Sequence, residues 1–507
     1  MPQDLLIYVV IVLVTIMVYE IARQLVIRKI ARAWRKRAER FVREHRIRLE
    51  SARFIDRVWM REALALDARI DTVVRELTSS NLTVPELRRR VDTYVDEIAP
   101  YFSLSLYYEL GGPIARAFVN FCFELVTEPD AFIAQANKAP PDAVRVYVIN
   151  HRSNFDPVVL SHALMDKIAL SYAVGEWALV WPLDSLFRAF GGYFVRRGER
   201  DPLYHAVLER FVQLLAGHGA VTGFFIEGGL SRDGALRRPK SGLLDYLVRL
   251  RLEFPDRDII FMPVGLNYDR VLEDRILVKE RDGRLPKPAA LQRLKNLGAL
   301  IFWVPMLITA SVFKVATKAH RKFGYAAICY GEPLLLSDWP GGSTMHTLER
   351  DARRVAMDEL AGELLNNRIA AVVPATPVSL LCTAYQRVGG ASRTKLKSEV
   401  ARIIADLRRR HIPVALGQSF GQISQRRHFD GVESIPGMNI DEAILDGEEA
   451  ELVVTLASYA LTRRRVLKKI TGGSLTVIDG EQPMVDYYVN SIRHHFTVVD
   501  DDAQVVA

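Results

Sequence analysis

The chain has 507 residues, of which 49% are hydrophobic and 25% charged. That length and composition exclude a disordered or collagen-like chain and allow about two or three domains with sizeable cores. The formal net charge of +8 points to an anionic partner, whether nucleic acid, a phospholipid surface or a phosphorylated substrate.

Leu5 to Tyr19 is an uncharged run, and apolar character continues past Glu20 and Arg23 to Ile27. At the α-helical rise the uncharged part gives about 22 Å, short of a hydrocarbon core of roughly 30 Å, so it spans only if its ends snorkel or the residues beyond Glu20 join it. Arg28, Lys29, Arg32, Arg35, Lys36 and Arg37 follow, whereas only Asp4 and the terminal amine precede it. This asymmetry places the bulk of the protein on the cytoplasmic side of an inner or plasma membrane. The lack of a basic leader and of a small-residue cleavage site argues against a removed signal peptide. Residues 1–31 are therefore expected to be a membrane-anchor helix, with an interfacial amphipathic helix as the alternative. The phospholipid bilayer, not nucleic acid, is the expected partner.

Residues 32–140 read as a helical region, with a polar break at Thr78 to Pro85 and a more apolar part from Tyr101 to Phe123. Its basic part either rests on anionic lipid or is a solvated face.

Residues 141–340 change texture to short apolar runs alternating with helical patterns, which predicts an α/β domain, a mixed sheet flanked by helices. Candidate strands are Val144 to Ile149, Ile168 to Val174, Gly192 to Val195, Ala220 to Ile226, Ile259 to Val264 and Tyr325 to Tyr330. Ligands of open α/β sheets sit at the carboxyl ends of strands, so the turns there carry the information. Cys122, Cys329 and Cys382 have neither pairing nor metal spacing, which fits a reducing compartment.

The first turn holds His151 and Asp156, just ahead of Pro157. Two helix registers compete. Ser153 caps the helix with Asp156 closing a capping box, or Asp156 is itself the cap with Pro157 in the first helical position. The second is preferred because it also explains the proline. Beyond capping, Asp156 is suited to hold the His151 imidazole in one tautomer and to support the imidazolium formed when His151 takes a hydroxyl proton. The second turn carries Arg196 and Arg197, whose guanidinium groups suit a phosphate, although an exposed arginine pair alone is more often a solvated surface. The third runs from Glu227 through Gly228, Gly229, Leu230, Ser231 and Arg232 to Lys240. Its glycines let backbone N–H groups approach an anion, but it lacks the Gly-Lys-Ser/Thr triplet of a nucleotide-binding loop. In the fourth, Pro263 is suited to shape a pocket wall.

Asn296 to Phe313 is a second uncharged run, interrupted by Gly298 and Pro305 and flanked by basic residues. A full crossing would separate the strand at Tyr325 from its sheet, so the run is expected to dip into the bilayer as a re-entrant or interfacial pair, with a buried core helix as the alternative. Residues 341–507 are expected to be mainly helical, as in Ser398 to His411 and Leu452 to Lys469. Strand pieces are expected at Pro413 to Leu416 and Ser474 to Ile478, and His494 and His495 are expected to be surface or packing residues.

Together the four turns resemble the blocks of the glycerolipid acyltransferases, in particular the glycerol-3-phosphate and dihydroxyacetone-phosphate acyltransferase branch. Asn150-His-Arg-Ser-Asn-Phe-Asp156 is similar to its His-x4-Asp block, Phe194-Val-Arg-Arg197 to the second, Phe225-Ile-Glu-Gly-Gly-Leu-Ser-Arg232 to the third and Met262-Pro-Val-Gly265 to the fourth. The resemblance implies a membrane-bound enzyme moving a fatty acyl group from acyl-CoA or acyl carrier protein to the sn-1 hydroxyl of a phosphorylated glycerol, with no cofactor beyond that co-substrate. His151 would be the general base and Asp156 its orienting partner. Glu227 would act with them, shaping with Gly228 and Gly229 the loop near the thioester. Arg196, Arg197, Ser231 and Arg232 would bind the acceptor's phosphate, and Arg152, Ser153, Lys240 and Pro263 complete the substrate-binding set. Loss of Arg196 would then raise the acceptor's KM. One departure is Leu230, where this branch commonly has arginine, which leaves lysophosphatidate open as acceptor. A non-catalytic lipid-binding protein on the same scaffold and an ester hydrolase are the competing classes, the latter without a Gly-x-Ser-x-Gly elbow.

Overall fold

The computed structural model describes residues 57–78, 82–99, 111–165, 167–168, 170–179, 187–188, 191–196, 198–283, 322–389, 392–417, 449–470 and 474–496. The two apolar runs at 5–27 and 296–313, and Arg197, lie outside them. Among the described residues no helix is long and apolar enough to cross a membrane.

In chain order the elements begin with α1 (Arg57–Ala65), α2 (Ala68–Leu77), α3 (Val84–Ile98), α4 (Gly112–Cys122), β1 (Glu124–Thr127), α5 (Pro129–Asn137), β2 (Val144–Ile149) and α6 (Asp156–Leu164). Then come β3 (Ser171–Gly175), β4 (Gly192–Val195), α7 (Pro202–Gly217), β5 (Thr222–Phe225), α8 (Gly242–Val248), β6 (Ile259–Tyr268) and α9 (Asp274–Arg281). The rest are β7 (Tyr325–Tyr330), β8 (Leu334–Leu335), α10 (Arg350–Gly362), α11 (Pro377–Val388), α12 (Arg393–Arg409), α13 (Glu449–Arg463), β9 (Leu467–Lys469), β10 (Leu475–Val477) and α14 (Gln482–Arg493). They group into two compact units. One comprises residues up to Arg116 with Leu164–Val221, the other Ala117–Ala163 with everything from Thr222 onward.

The first unit is built on α7, which Asp201 caps through the Leu203 N–H at 3.0 Å with Pro202 in the first turn. Leu203, Val207, Phe211 and Leu215 are buried along it. Asp67 caps α2 through the Arg69 and Ile70 N–H groups, and its other oxygen receives Arg210 Nε at 2.6 Å, pinning α2 to α7. Strands β3 and β4 pair in parallel from Tyr172–Gly192 to Gly175–Val195.

In the second unit β2 is flanked by β5 and β6, both parallel to it. On its other side β6 pairs with antiparallel β7 and β8, and β7 with parallel β1. The sheet is thus mixed, and β2, β5 and β6 all end on one edge. Val146, Tyr147, Val148 and Ile149 are fully buried, the continuous apolar run of a strand covered on both faces. Strand β6 runs past the expected Val264 because β7 pairs with it as far as Tyr268↔Ala326, while on the β2 side Asn150 receives the Leu266 N–H on Oδ1 at 2.7 Å and donates Nδ2 to the Leu266 carbonyl at 3.0 Å. A side-chain amide here extends the ladder that β2 has left. Pro263 sits in the middle of β6, where its carbonyl accepts from Gly331 N at 2.9 Å. Its missing donor faces the same side, in the interval where β6 changes partner from β8 to β7. Pro263 is therefore a strand residue within the sheet.

Two helical expectations and one strand expectation need correction. Glu124–Thr127 is strand β1, its register fixed by Val126↔Ala327 beside β7. The helix expected to reach Lys469 stops at Arg463, because Arg465 takes φ 57° and the chain turns into β9. Pro413 to Leu416 makes a single bridge, Val414 to Ala375, and no strand.

Helix α14 closes the second unit. Val485, Tyr488, Val489 and Ile492 are buried, and His495 beyond it is 5% exposed with Nε2 donating to the Val373 carbonyl at 2.9 Å. Burial, with Arg410 and Arg152 nearby, lowers the His495 imidazole from 6.5 to about 4, and burial also lowers His494. The fold therefore binds fewer protons here than the unfolded chain. Stability from His495 is complete above pH 6.5 and is lost on acidification towards pH 4, by about 2–3 kcal/mol. Urea unfolding at pH 7.5 and pH 5 reads this, and His495→Gln, which keeps the donor, should reduce the difference.

Candidate active site

Because β2, β5 and β6 end together, their following residues converge. His151 follows β2 by two residues, Glu227 follows β5 by two, and Tyr268 is the last residue of β6. All three are buried, as is Asp156, and His151 retains 6% exposure. Asp156 Oδ2 stands 2.8 Å from His151 Nδ1 and also accepts the N–H groups of Arg152 at 2.7 Å and Ser153 at 3.0 Å. Its Oδ1 accepts the Tyr268 hydroxyl at 2.7 Å. The histidine ring stacks on Phe225 with centroids 4.1 Å apart. With Nδ1 committed to the carboxylate, Nε2 is the nitrogen left to meet a substrate.

This geometry reverses the preferred helix register. The Asp156 carboxylate reaches back to the Ser153 N–H, and Ser153 Oγ accepts the Phe155 N–H at 3.1 Å. That is the return half of a capping box on Ser153, with the Asp156 N–H bonded to the Ser153 carbonyl at 3.0 Å. The physical reason is the histidine: an Asp156 carboxylate turned forward over its own helix could not also hold Nδ1. Glu273, at the start of α9, fixes the loop further. It accepts Ser153 Oγ at 2.8 Å and the Asn154 N–H at 3.2 Å. Burial, opposed by the Ser153 hydrogen bond, raises its carboxyl.

Glu227 bridges two loops. Oε1 accepts the His151 N–H at 2.8 Å and Oε2 the Arg237 N–H at 2.7 Å. Burial raises its carboxyl, while the Arg152 charge and these two donors pull it back. It thereby holds the backbone of His151 beside that of Arg237. Gly228, at φ 62°, donates its N–H to the Phe225 carbonyl at 2.9 Å, which commits that donor to the turn. Gly229 is buried beside it.

The other expected ligands divide sharply. Arg152 is 1% exposed; its guanidinium donates to the carbonyls of Gly234 and, at 2.9 Å, Ser491. It braces α14 against the site loop and is not presented to a substrate. Ser231 is fully buried, within 2.7 Å of the Ala235 carbonyl and 3.1 Å of Asp233 Oδ1, contacts that shape the loop. Ser153 is likewise spent on Glu273. In the first unit, Arg196 forks onto Glu97 at 2.7 and 2.5 Å and reaches Glu199 at 3.0 Å. The rings of Tyr94 and Tyr204 each lie 5.3 Å from its guanidinium carbon. Its charge is already balanced by two carboxylates. Arg232, Arg237 and Lys240 are exposed on the loop after β5. Arg232 lies 3.4 Å from Glu280 in an open ion pair, a contact of small worth. Arg237 also donates to the Leu230 carbonyl at 3.2 Å, which brings its guanidinium beside residue 230.

Four of the site's residues escaped the sequence reading. Asn150, Tyr268 and Glu273 act through contacts with residues more than a hundred positions away, and Arg237 lacked any signal separating it from its basic neighbours.

The acyltransferase family profile matches residues 132–267, a span that begins ahead of β2 and ends within β6. Curated relatives named glycerol-3-phosphate acyltransferase match at modest identity. That of Xylella fastidiosa strain M12 is 26% identical over 350 residues, 65% of this chain and 37% of its own length. Residues 132–267 thus resemble an acyltransferase domain. The Xanthomonas campestris relative is 25% identical over 65% of this chain and 36% of its own length, and that of Pseudomonas syringae pv. tomato 28% over 53% and 30%. The chain thus aligns with about a third of the length of these relatives. The crystal structure of the 1-acyl-sn-glycerophosphate acyltransferase from Thermotoga maritima matches with 16% identity and a TM-score of 0.29 over 52% of this chain and 80% of that one. Within the acyltransferase domain lie the His151–Asp156 pair, Glu227 and all but the last residue of β6.

Proposed function

We propose that this chain is a membrane-bound glycerol-3-phosphate acyltransferase that carries an acyl group from acyl-CoA or acyl carrier protein to the sn-1 hydroxyl. The observation that supports it most is the buried Asp156 carboxylate on His151 Nδ1 at 2.8 Å, which fixes Nε2 as a base. In this reading Nε2 takes the hydroxyl proton as the oxygen attacks the thioester carbonyl carbon. The tetrahedral intermediate then collapses, the C–S bond breaks, and the imidazolium returns its proton to the departing thiolate. The exposed cations at Arg232, Arg237 and Lys240 receive the acceptor's phosphate, next to His151 because Glu227 ties residues 151 and 237 together. The apolar run at 5–27 holds the domain at the bilayer that supplies and receives its lipids.

Two tests follow from this assignment. Purified protein offered labelled acyl-CoA with glycerol 3-phosphate, dihydroxyacetone phosphate or lysophosphatidate in parallel should label the product of glycerol 3-phosphate. Label confined to the lysophosphatidate reaction would move the assignment to a second acylation, and no label in any would end it. Arg237→Ala should raise the KM for glycerol 3-phosphate about tenfold with little change for acyl-CoA, since a phosphate clamp acts through binding. Equal effects on both substrates would remove Arg237 from the acceptor site.

A further inference from the structure

Asp156 has polar partners on both oxygens, from the loop at 151–153 and from the end of β6. Oδ2 accepts two backbone N–H groups and faces His151 Nδ1, whereas Oδ1 accepts the Tyr268 hydroxyl at 2.7 Å. Tyr268 is 1% exposed, at the end of β6, with its ring against Phe123 at a centroid distance of 5.5 Å. Phe123 and the ladder to Asn150 hold the ring, so the hydroxyl meets Asp156 in a fixed direction.

We propose that Tyr268 is a positioning residue for the proposed acyl transfer: its hydroxyl anchors Asp156 Oδ1 and sets how strongly the carboxylate supports a proton on His151. The inference rests on the general-base reading of His151. A carboxylate already satisfied by donors holds an imidazolium less tightly than a bare one, since each donor disperses its charge. Tyr268 is a donor throughout the working range, because burial and the neighbouring Asp156 charge raise its phenol well above the ordinary value. The other charged or titratable groups near the pair are Arg152, Glu227, Glu273 and, from α14, Tyr487. None of these changes in a Tyr268 variant, so the effect of the hydroxyl can be read alone.

Tyr268→Phe removes the donor while keeping the ring. The acid limb of its kcat/KM profile should move up by about one pH unit, the shift expected for losing one hydrogen bond to a charged group. Replacing Tyr268 with 3-fluorotyrosine, whose more acidic hydroxyl donates more strongly, should move the limb down. A purely structural role would lower activity evenly at every pH. Acid limbs of both variants that coincide with that of the unaltered protein would overturn the proposal. The His151 titration, followed by NMR of histidine-labelled protein against a His151→Ala control, reads the same shifts without turnover. Unaltered protein that transfers no acyl group would defeat the functional reading and still leave the ring titration to decide on Tyr268.

Discussion

His151→Ala should lose about three to four orders of magnitude in kcat, and Asp156→Asn about three, in proteins that remain folded. The asparagine is the sharper variant because its hydrogen bonds can be rebuilt. Its carbonyl oxygen can accept the Arg152 and Ser153 N–H groups in place of Oδ2, and its amide can donate to the Tyr268 hydroxyl, which is able to accept. What is lost is the negative charge facing Nδ1, and with it the support for the imidazolium. The loss should therefore fall on kcat with KM nearly constant, and the thermal midpoint should lie close to that of the unaltered protein. A near-native rate in both variants would remove the pair from the chemistry.

Gly234→Ala should be strongly destabilising, by about 3 kcal/mol or more. Gly234 has φ 87°, a conformation that an alanine adopts only under strain, and an added Cβ would overlap the Tyr487 carbonyl in α14. The obstacle is backbone, so relief requires moving a helix. The same residue's carbonyl accepts Arg152, and Asn490 Nδ2 donates to the neighbouring Asp233 carbonyl at 2.9 Å. Displacing α14 would thus disturb the loop that ends at Lys240 as well as the chain beside His151. Gly283→Ala is the matched control: its φ is 66° but nothing lies within 4 Å of the new Cβ, so only the backbone strain of about 1 kcal/mol remains. Urea unfolding of the two variants measures the difference, and equal losses would show that the α14 contact is not limiting.

The sequence pattern is informative where burial and local chemistry coincide. Val144 to Ile149, Gly192 to Val195 and Tyr325 to Tyr330 are strands with the expected bounds, because each is a short apolar run closed by polar residues. The His-x4-Asp turn was legible because both partners lie within five residues. Its capping register was not, since the winning arrangement depends on the imidazole as a competing donor. The expected phosphate ligands Arg196 and Ser231 show the limit of residue type as a guide. An arginine beside a strand end is equally suited to Glu97 and Glu199, and a loop serine to the Ala235 carbonyl. The role of α14 was beyond local reading, since the Arg152 to Ser491 contact spans 339 positions.

The central claim is that His151 activates an acceptor hydroxyl for direct attack on a thioester. The most direct test mixes purified protein rapidly with labelled acyl-CoA, with and without glycerol 3-phosphate, and follows the label by intact-protein mass and lipid extraction. The structure predicts an unmodified protein, a thioester that persists until the acceptor is added, and then label in acylated glycerol phosphate. Label on the protein itself, or free fatty acid released at the same rate with and without acceptor, would contradict it.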